Sequence, residues 1–574
     1  MHATRLVWQN LQMLNGPAPD LVWAGCELPP IVTQVLHSRG VPPSKLDGFL
    51  GTRRGPVHSP QHLRGMPEAV SRILRARQDH ELVAIYGDAD VDGMTAVALL
   101  VQAFSTIGVN VIPYVPDRHV EVAGVSLDAL NLLARRGVRL VVTADCGVAS
   151  ARELGEARAF GLEFVITDHH EPPAQLPDVA AVVDPLQQGC RYPCKHLAGV
   201  GVAFKLAQAL YAATGVSEDR ARSLLDLVAL GTIADMVPLI DENRALVWQG
   251  LAVLNRCERP GLHFLVTLSG LQTGTIATSD LAYKLCPRLN AAGRFEQGSL
   301  GYALLAAKTY EEAEIHAGTL DLRYRERQTL AQQVYEACAA KLARGPIGQQ
   351  DRLIVVHIEP SAASVAGVVA GKLVEDLGLP VMVLQESAGI VRGTLRGTPA
   401  FPIIEALHQN SGLLSHYGGH QHAAGFVTTV EHAEQLAQRV GELADRAISP
   451  AGAFPELRID AEVSLHAVDW TLYEQLGMLE PFGVGNPMPV LLCKRLRLVD
   501  FKCVGNNHLQ LIVRRGRTQL SAIAFRQGSL AHQLCRNQEI DLVFSMEVNE
   551  WDGRRTLQLR VRDLAFDPAF AGVP

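Results

Sequence analysis

Asp88, Asp90 and Asp92 stand at alternate positions in the stretch AIYGDADVDGMTA, residues 84–96, between one apolar segment and the next. Carboxylates crowded into one turn repel, so a site that keeps several of them charged calls for a cation. The spacing DxDxDG opens a calcium loop. That loop needs Glu at its twelfth position, where Leu99 stands, and a helix on each side, where the flanks LVAIY and TAVALLVQAF read as strand and helix. A calcium loop is therefore excluded, and a solvated turn or a helix N-cap is the plain reading of the stretch taken alone.

The elements around the turn supply more. Apolar strand-like runs end in an acid three times, in LVAIYGDAD, in VRLVVTADCG at Asp145 and in LEFVITDHH at Asp168. TAVALLVQAFSTIG, SLDALNLLARRG and SARELGEARAFG lie between them as helical stretches. Strand and helix alternating at these lengths predict right-handed crossovers and a parallel sheet. Ligands of such sheets bind outside the carboxyl ends of the strands, so the acids converge on one crevice. His169 and His170 add imidazole nitrogens, and the combined set suits Mn2+ or Mg2+ better than zinc or calcium. Asp235 interrupts the apolar run DLVALGTIADMVPL. A buried Asp is costly unless paired or metal-bound, which adds it to the set, the alternative being a residue of a helix-ending turn.

Whole-chain figures set the frame. A chain of 574 residues with 48% apolar and 19% charged residues is a globular protein of three or so domains. No apolar run reaches the length of a bilayer span, and MHATRLVWQN lacks a secretory apolar segment, so a cytoplasmic protein with no membrane association is expected. The ten cysteines are scattered, apart from Cys190 and Cys194 in CRYPCKH, which lack a second pair for structural zinc. A net charge of −7, from 52 basic and 59 acidic side chains, means that any nucleic-acid surface must be local.

Residues 301–345 have helical periodicity and read as a connector. A new α/β pattern starts at LIVVHIE after RGPIGQQDR, and ISPAGAFPE, 448–456, reads as a linker. Beyond it HLQLIVRRG, TQLSAIAFR, IDLVFSMEV and RTLQLRVRDL read as short strands of a small β-barrel. Between Lys494 and Arg536 nine Lys and Arg face one acid, Asp500, which makes a local basic surface or a solvated strand face.

GDADVDG, TADCG, TDHH and ALGTIADMVP resemble the four successive motifs of the DHH phosphoesterase superfamily. AGVGVAFKL (198–206), PRLNAAGR (287–294), GGHQHAAGF (418–426) and LEPFGVGNPMPV (479–490) resemble, within it, the RecJ family of bacterial single-strand-specific 5′→3′ DNA exonucleases. The resemblance implies an α/β protein with a lead-in segment over 1–75 and a parallel-sheet DHH catalytic domain over 76–300. A connecting helix over 301–345, a smaller α/β DHHA1 domain over 346–448 and a β-barrel OB-fold over 455–570 would follow. The implied reaction is two-metal-ion hydrolysis of single-stranded DNA to 5′-mononucleotides in recombination and repair, with two Mn2+ or Mg2+ ions.

By the same resemblance Asp90, Asp92, Asp145, His169 and Asp235 bind metal, and Asp168 holds or joins the ligand set. His170 contacts the phosphate, and Asp88 orients its neighbours. Arg288, Asn290 and Arg294 are implied phosphate contacts, and Arg118, Thr394 and Arg396 part of a pocket for the 5′ end. Gly418 and Gly419 allow close backbone approach to phosphate, beside His420. The implied partners are single-stranded DNA, a single-strand-binding protein and a helicase, and the implied state is a monomer. The chain departs from the family pattern at Ala89, at AGVSL (123–127) and at SAASVAGVVA (361–370), while every implied ligand is retained. Two other readings compete: a phosphodiesterase for oligoribonucleotides or cyclic dinucleotides, whose kind generally lacks the barrel, and a non-catalytic replisome DNA-binding protein, which would have lost the ligands.

Overall fold

The computed structural model describes residues 7–10, 22–23, 26–51, 55–116, 124–292, 300–344, 352–398, 400–448, 456–505, 507–551 and 554–566. Two compact units make up the chain, one from residues 10–321 and 458–574, the other from 322–457 together with 1–9.

Five strands form the sheet of the first unit: β1 (Leu82–Gly87), β2 (Asn110–Tyr114), β3 (Val138–Ala144), β4 (Glu163–Thr167) and β5 (Ala181–Val183). Their order is β2-β1-β3-β4-β5 and every pairing is parallel. Strands covered on both faces read as unbroken apolar runs, and β1 shows why. Val83 and Ile85 enter one core, while Ala84 and Tyr86 enter another on the opposite face. Helices α1 (Val91–Thr106), α4 (Gly199–Thr214) and α5 (Leu225–Ala234) build the first core, and α2 (Leu127–Arg135) and α3 (Ala151–Ala157) the second. The carboxyl ends of β1, β3, β4 and β5 thus open on one edge.

The expected connector starts later than residue 301. Leu300–Ala306 is a separate helix whose Leu304 and Leu305 join the core of the first unit, and the long helix α6 spans Tyr310–Arg344. The cause is a reciprocal cap. Thr309 Oγ1 accepts from Glu312 N at 3.2 Å while a Glu312 carboxylate oxygen accepts from Lys308 N at 3.0 Å.

In the second unit β6 (Ile354–His357), β7 (Val381–Ser387), β8 (Ile390–Arg396), β9 (His416–His420) and β10 (Ala423–Thr429) form a mixed sheet ordered β9-β10-β8-β7-β6. Helices Ala366–Leu377 and Val430–Ala447 pack on it.

The first unit ends in a barrel of β11 (Leu491–Val504), β12 (His508–Arg515), β13 (Thr518–Ala524), β14 (Glu539–Trp551) and β15 (Arg554–Phe566). The order is β11-β12-β13-β15-β14, and β14 pairs back onto β11 to close five strands. Two helices of the lead-in segment, residues 1–75, pack into this unit. Helix Pro30–Ser38 buries Val32, Val35 and Leu36 with Leu496, Leu498 and Phe544 of the barrel, and helix Met66–Gln78 gives Met66, Ala69 and Ile73 to the sheet core. Both helices carry an apolar face that needs such a partner.

The motif at 479–490 joins barrel to sheet domain. Arg244, fully buried on helix Asp241–Leu254, donates to the carbonyls of Leu479 at 2.9 Å, Glu480 at 2.8 Å, Pro481 at 3.1 Å and Phe49 at 3.1 Å. Its guanidinium also lies 4.0 Å from the centre of the Phe49 ring. Leu239 N donates to Val484 O at 2.7 Å, four residues after Asp235. No helix among the described residues is long and apolar enough to cross a membrane.

Candidate metal centre

The turn after β1 is tied down by its own side chains. Asp90 caps α1, its carboxylate accepting from Gly93 N at 3.0 Å, and the positive end of the α1 dipole faces the acids. Asp92 sits in the first turn of α1 with both oxygens engaged by the start of α4, accepting from Gly199 N at 2.7 Å and Val200 N at 2.9 Å. Glycine is required at two points of this packing. A Cβ at Gly199 would collide with Asp145, and one at Gly231 with Thr95 and Asp92, so both helices approach the acids through bare backbone.

Asp145 follows β3 with φ of +66°, a left-handed conformation that Asp tolerates better than most residues and that is concentrated at functional sites. Asp168 follows β4 and is almost fully buried. It accepts from Val148 N at 2.9 Å, His169 N at 2.8 Å, His170 N at 3.2 Å and His170 Nδ1 at 2.8 Å. Burial works against its charge, but these bonds and the two neighbouring imidazoles outweigh it and hold the carboxyl below its ordinary range. Asp235 ends α5 as its C-cap, so the turn reading of this residue and its place at the crevice coexist.

Three triplets interlock: Asp88, Asp90 and Asp145; Asp92, His169 and Asp235; Asp145, His169 and His170. Within each, one ligand atom per residue lies within 4.8 Å of the others. His169 Nε2 is 3.1 Å from Asp145 Oδ1 and 3.7 Å from Asp235 Oδ2. Asp88, read from sequence as an orienting acid, stands in a triplet as fully as Asp90 does.

The set fits hard divalent cations. Asp145 Oδ1 and His169 Nε2 are buried without a hydrogen-bond partner, which is costly unless something else binds them. Burial, then the charges of Asp92 and Asp90, pushes the Asp145 carboxyl well above its ordinary range. Burial and Asp235 push Asp92 up to about 7, and burial, against the opposing charge of His169, pushes Asp235 up to about 6. Burial opposes the His169 imidazolium, but Asp235 and Asp92 outweigh it and raise that pKa. Burial opposes His170 likewise, and Asp168 outweighs it, to about 9. Oxygen ligands with one imidazole match Mn2+ or Mg2+.

The other expected residues are spread out. Arg288, on helix Cys286–Ala292, donates to Lys284 O at 2.8 Å and lies 3.6 Å from Asp321, so a carboxylate already faces it; Asn290 is half-buried on the same helix. Arg118, Arg294 and the His420 side chain lie outside the described residues. In the second unit the register places Gly418, Gly425 and Thr394 side by side across three strands, and His420, Ala423 and Arg396 likewise, with Gly419 between the two rows. Arg396 packs against Gly367, and burial lowers its proton affinity; Arg327 of α6 is buried with the same consequence.

Two features escape a reading of the sequence alone. Asp184 follows β5, fully buried, with Oδ1 accepting from Leu186 N at 2.7 Å and Oδ2 without a hydrogen-bond partner. Burial pushes it up to about 7. Its signal is AAVVDP, a further apolar run that ends in an acid. The Gly199 and Val200 amides that hold Asp92 had only the glycines of AGVGV as a signal.

Residues 82–232 match the sequence model of the DHH family, N-terminal domain, and residues 459–563 that of the RecJ OB domain. The single-stranded-DNA-specific exonuclease RecJ of Bacillus subtilis is 36% identical over 98% of this chain and 71% of its own length. Its namesake in Salmonella typhimurium is 32% identical over 97% of this chain and 99% of its own. The crystal structure of RecJ from Thermus thermophilus in complex with Mn2+ superposes with a TM-score of 0.79 at 27% identity, covering 94% of this chain and 76% of that one. Identity of this order over nearly the whole length, on the same sheet and barrel, means that the chain belongs to the RecJ family of single-stranded-DNA-specific exonucleases.

Proposed function

We propose that the chain is a metal-dependent exonuclease that hydrolyses single-stranded DNA from the 5′ end to mononucleotides, in recombination and repair. The observation that carries this reading is the interlocked set of acids and His169, with Asp145 Oδ1 and His169 Nε2 buried at its centre, 3.1 Å apart and neither of them hydrogen-bonded. Asp88, Asp90 and Asp145 would hold one ion, and Asp92, His169 and Asp235 the other. Bound there, the ions would supply Lewis acidity to the phosphodiester and to the attacking water.

The remaining groups position and neutralise. Asp168 fixes the His170 ring through Nδ1 and favours its protonated form, leaving the other ring nitrogen for a phosphate oxygen. Thr394 and Arg396 on β8, with Gly418 and Gly419 on β9 across the intervening β10, are the proposed second anion-binding group and seat of the 5′ phosphate. The retained acids speak against a non-catalytic protein. The barrel speaks against a substrate as small as a cyclic dinucleotide. The 5′→3′ direction, a monomeric state, a single-strand-binding protein and a helicase as partners, and the cytoplasm as location rest on family resemblance, the last also on the nine cysteines among the described residues, all of them free.

The test is digestion of a 40-nucleotide strand labelled at either end, alone or annealed to its complement, with Mn2+, Mg2+ or chelator. Labelled mononucleotide should appear at once from the 5′ label, at least about a hundredfold faster from the single strand, and chelator should abolish it. First release from the 3′ label would refute the direction. Cleavage in chelator would refute the mechanism.

A further inference from the structure

Asp235 ends α5, and the chain that follows it is held from outside the helix. Met236 has φ of +61° while its side chain is 69% exposed. A left-handed backbone is uncommon for a residue other than glycine and persists only where the surroundings impose it. An exposed side chain imposes nothing, so the hold comes from the next residues. Val237 packs half-buried on the core of the sheet domain and Leu239 is buried within it. Pro238 O accepts from Asn243 Nδ2 at 3.2 Å, and Leu239 N donates to Val484 O at 2.7 Å.

Val484 belongs to the turn Gly483–Asn486, in which Gly483 N donates to Asn486 O at 2.9 Å and Asn486 N to Gly483 O at 3.1 Å. Gly485 has φ of +78°, which glycine adopts freely. The turn meets the segment after Asp235 through bare backbone. A Cβ at Gly483 would stand 2.6 Å from Leu239 Cδ1, and one at Gly485 would stand 3.3 Å from both Pro238 Cβ and Ile240 Cγ2. The base of the turn is fixed as well. Asn486, buried, donates through Nδ2 to Leu479 O at 2.9 Å and Pro481 O at 2.8 Å, two of the carbonyls that also take the Arg244 guanidinium. Its Oδ1 accepts from Arg39 Nη1 at 2.8 Å, and Arg39 is paired with Asp460 through two bonds of 2.9 Å.

Resting on the metal centre proposed above, we infer that Val484 and Gly485 are positioning residues for Asp235. The fixed turn presents Val484 O to Leu239 N, which holds Pro238 and Leu239 in place and so keeps Met236 left-handed. The Asp235 carboxylate, one residue earlier, is thereby kept with Asp92 and His169. Without that hold Met236 relaxes to an ordinary φ, and the peptide joining it to Asp235 turns away. Groups that orient a ligand in this way commonly govern metal affinity. The site of Asp92, His169 and Asp235 thus depends on the segment that leads into the barrel, whereas Asp88, Asp90 and Asp145 follow β1 and β3 directly and are placed by the sheet.

The test is Mn2+ binding by the full chain without DNA, followed through the electron paramagnetic resonance of the free ion. Asp235→Asn, which removes a ligand charge, identifies which dissociation constant belongs to its site. Gly485→Ala and Asn486→Ala should each raise that same constant about tenfold and leave the other within about twofold of the parent. Asn486→Ala leaves both carbonyls bonded to Arg244, so the junction survives, and circular dichroism checks the fold. Val484→Ser keeps the carbonyl and alters only a side chain that is already exposed, so both constants should stay with the parent. Adding Met236→Gly to Asn486→Ala should bring the raised constant back to within about threefold, because glycine takes a left-handed φ without an outside hold. Unchanged constants in both turn variants, an equal rise of the two constants, or no recovery on adding Met236→Gly overturns the assignment. A parent that binds no Mn2+ would instead remove the metal centre itself, and this inference with it.

Discussion

Asp145→Ala is expected to lower turnover on single-stranded DNA by at least about a thousandfold, while affinity for oligothymidine in chelator stays within about threefold. Asp145 belongs to two of the three triplets and connects the Asp88 and Asp90 side to His169. DNA affinity should survive because the proposed contacts to phosphates are spread over groups other than this carboxylate. Stability supplies an internal check. The folded-state pKa of Asp145 is raised above that of the unfolded chain, so its ionisation at pH 8 works against folding. Without metal, the variant should therefore melt no lower than the parent. Asp168→Asn differs in kind, since it loosens His169 and His170 together, and a loss of about a hundredfold is expected. Stopped-flow turnover and thermal melts measure both. Near-normal turnover in Asp145→Ala would place the reaction elsewhere.

The second large effect is competition between protons and metal. Asp92 near 7 and Asp235 near 6 bind protons in the range where a divalent ion needs them ionised. Lowering the pH from 8 to 6 should raise the half-saturating Mn2+ concentration by about twentyfold from these two groups, and Asp145 adds to it. The sign of the stability change follows. Carboxyls whose folded pKa is raised favour the metal-free fold at low pH and lose that contribution as pH rises through about 6 to 7, so metal-free protein should melt lower at pH 8 than at pH 6. Mn2+ titrations at the two pH values check the first statement. An unchanged half-saturation point would mean that these carboxylates do not bind the ion.

The acids were legible because each ends an apolar run, and strand ends of a parallel sheet converge whatever the strand order. What the sequence hid depends on contacts between distant segments. Nothing near Arg244 announces that its guanidinium reaches Leu479, Glu480 and Pro481, or that helix Pro30–Ser38 belongs to the barrel core. Within the charge run Lys494–Arg536, Lys494 and Arg497 meet Glu462 and Asn537, which fall outside the run, because strand pairing decides which side chains meet. The start of α6 was legible in principle, because Thr309 and Glu312 have the spacing of a reciprocal cap within an otherwise helical pattern. Asp88 shows the limit from the other side. Alternate positions in a turn do not reveal which carboxylate faces the crevice, and the backbone of the turn does.

Anomalous diffraction at the manganese edge, from crystals of the chain grown with Mn2+, tests the central claim most directly. Two peaks are expected at the carboxyl end of the sheet, one among Asp88, Asp90 and Asp145 and one among Asp92, His169 and Asp235, and both should weaken in Asp145→Ala. Manganese bound elsewhere, or both peaks unchanged in that variant, would contradict the assignment of this cluster as the metal centre.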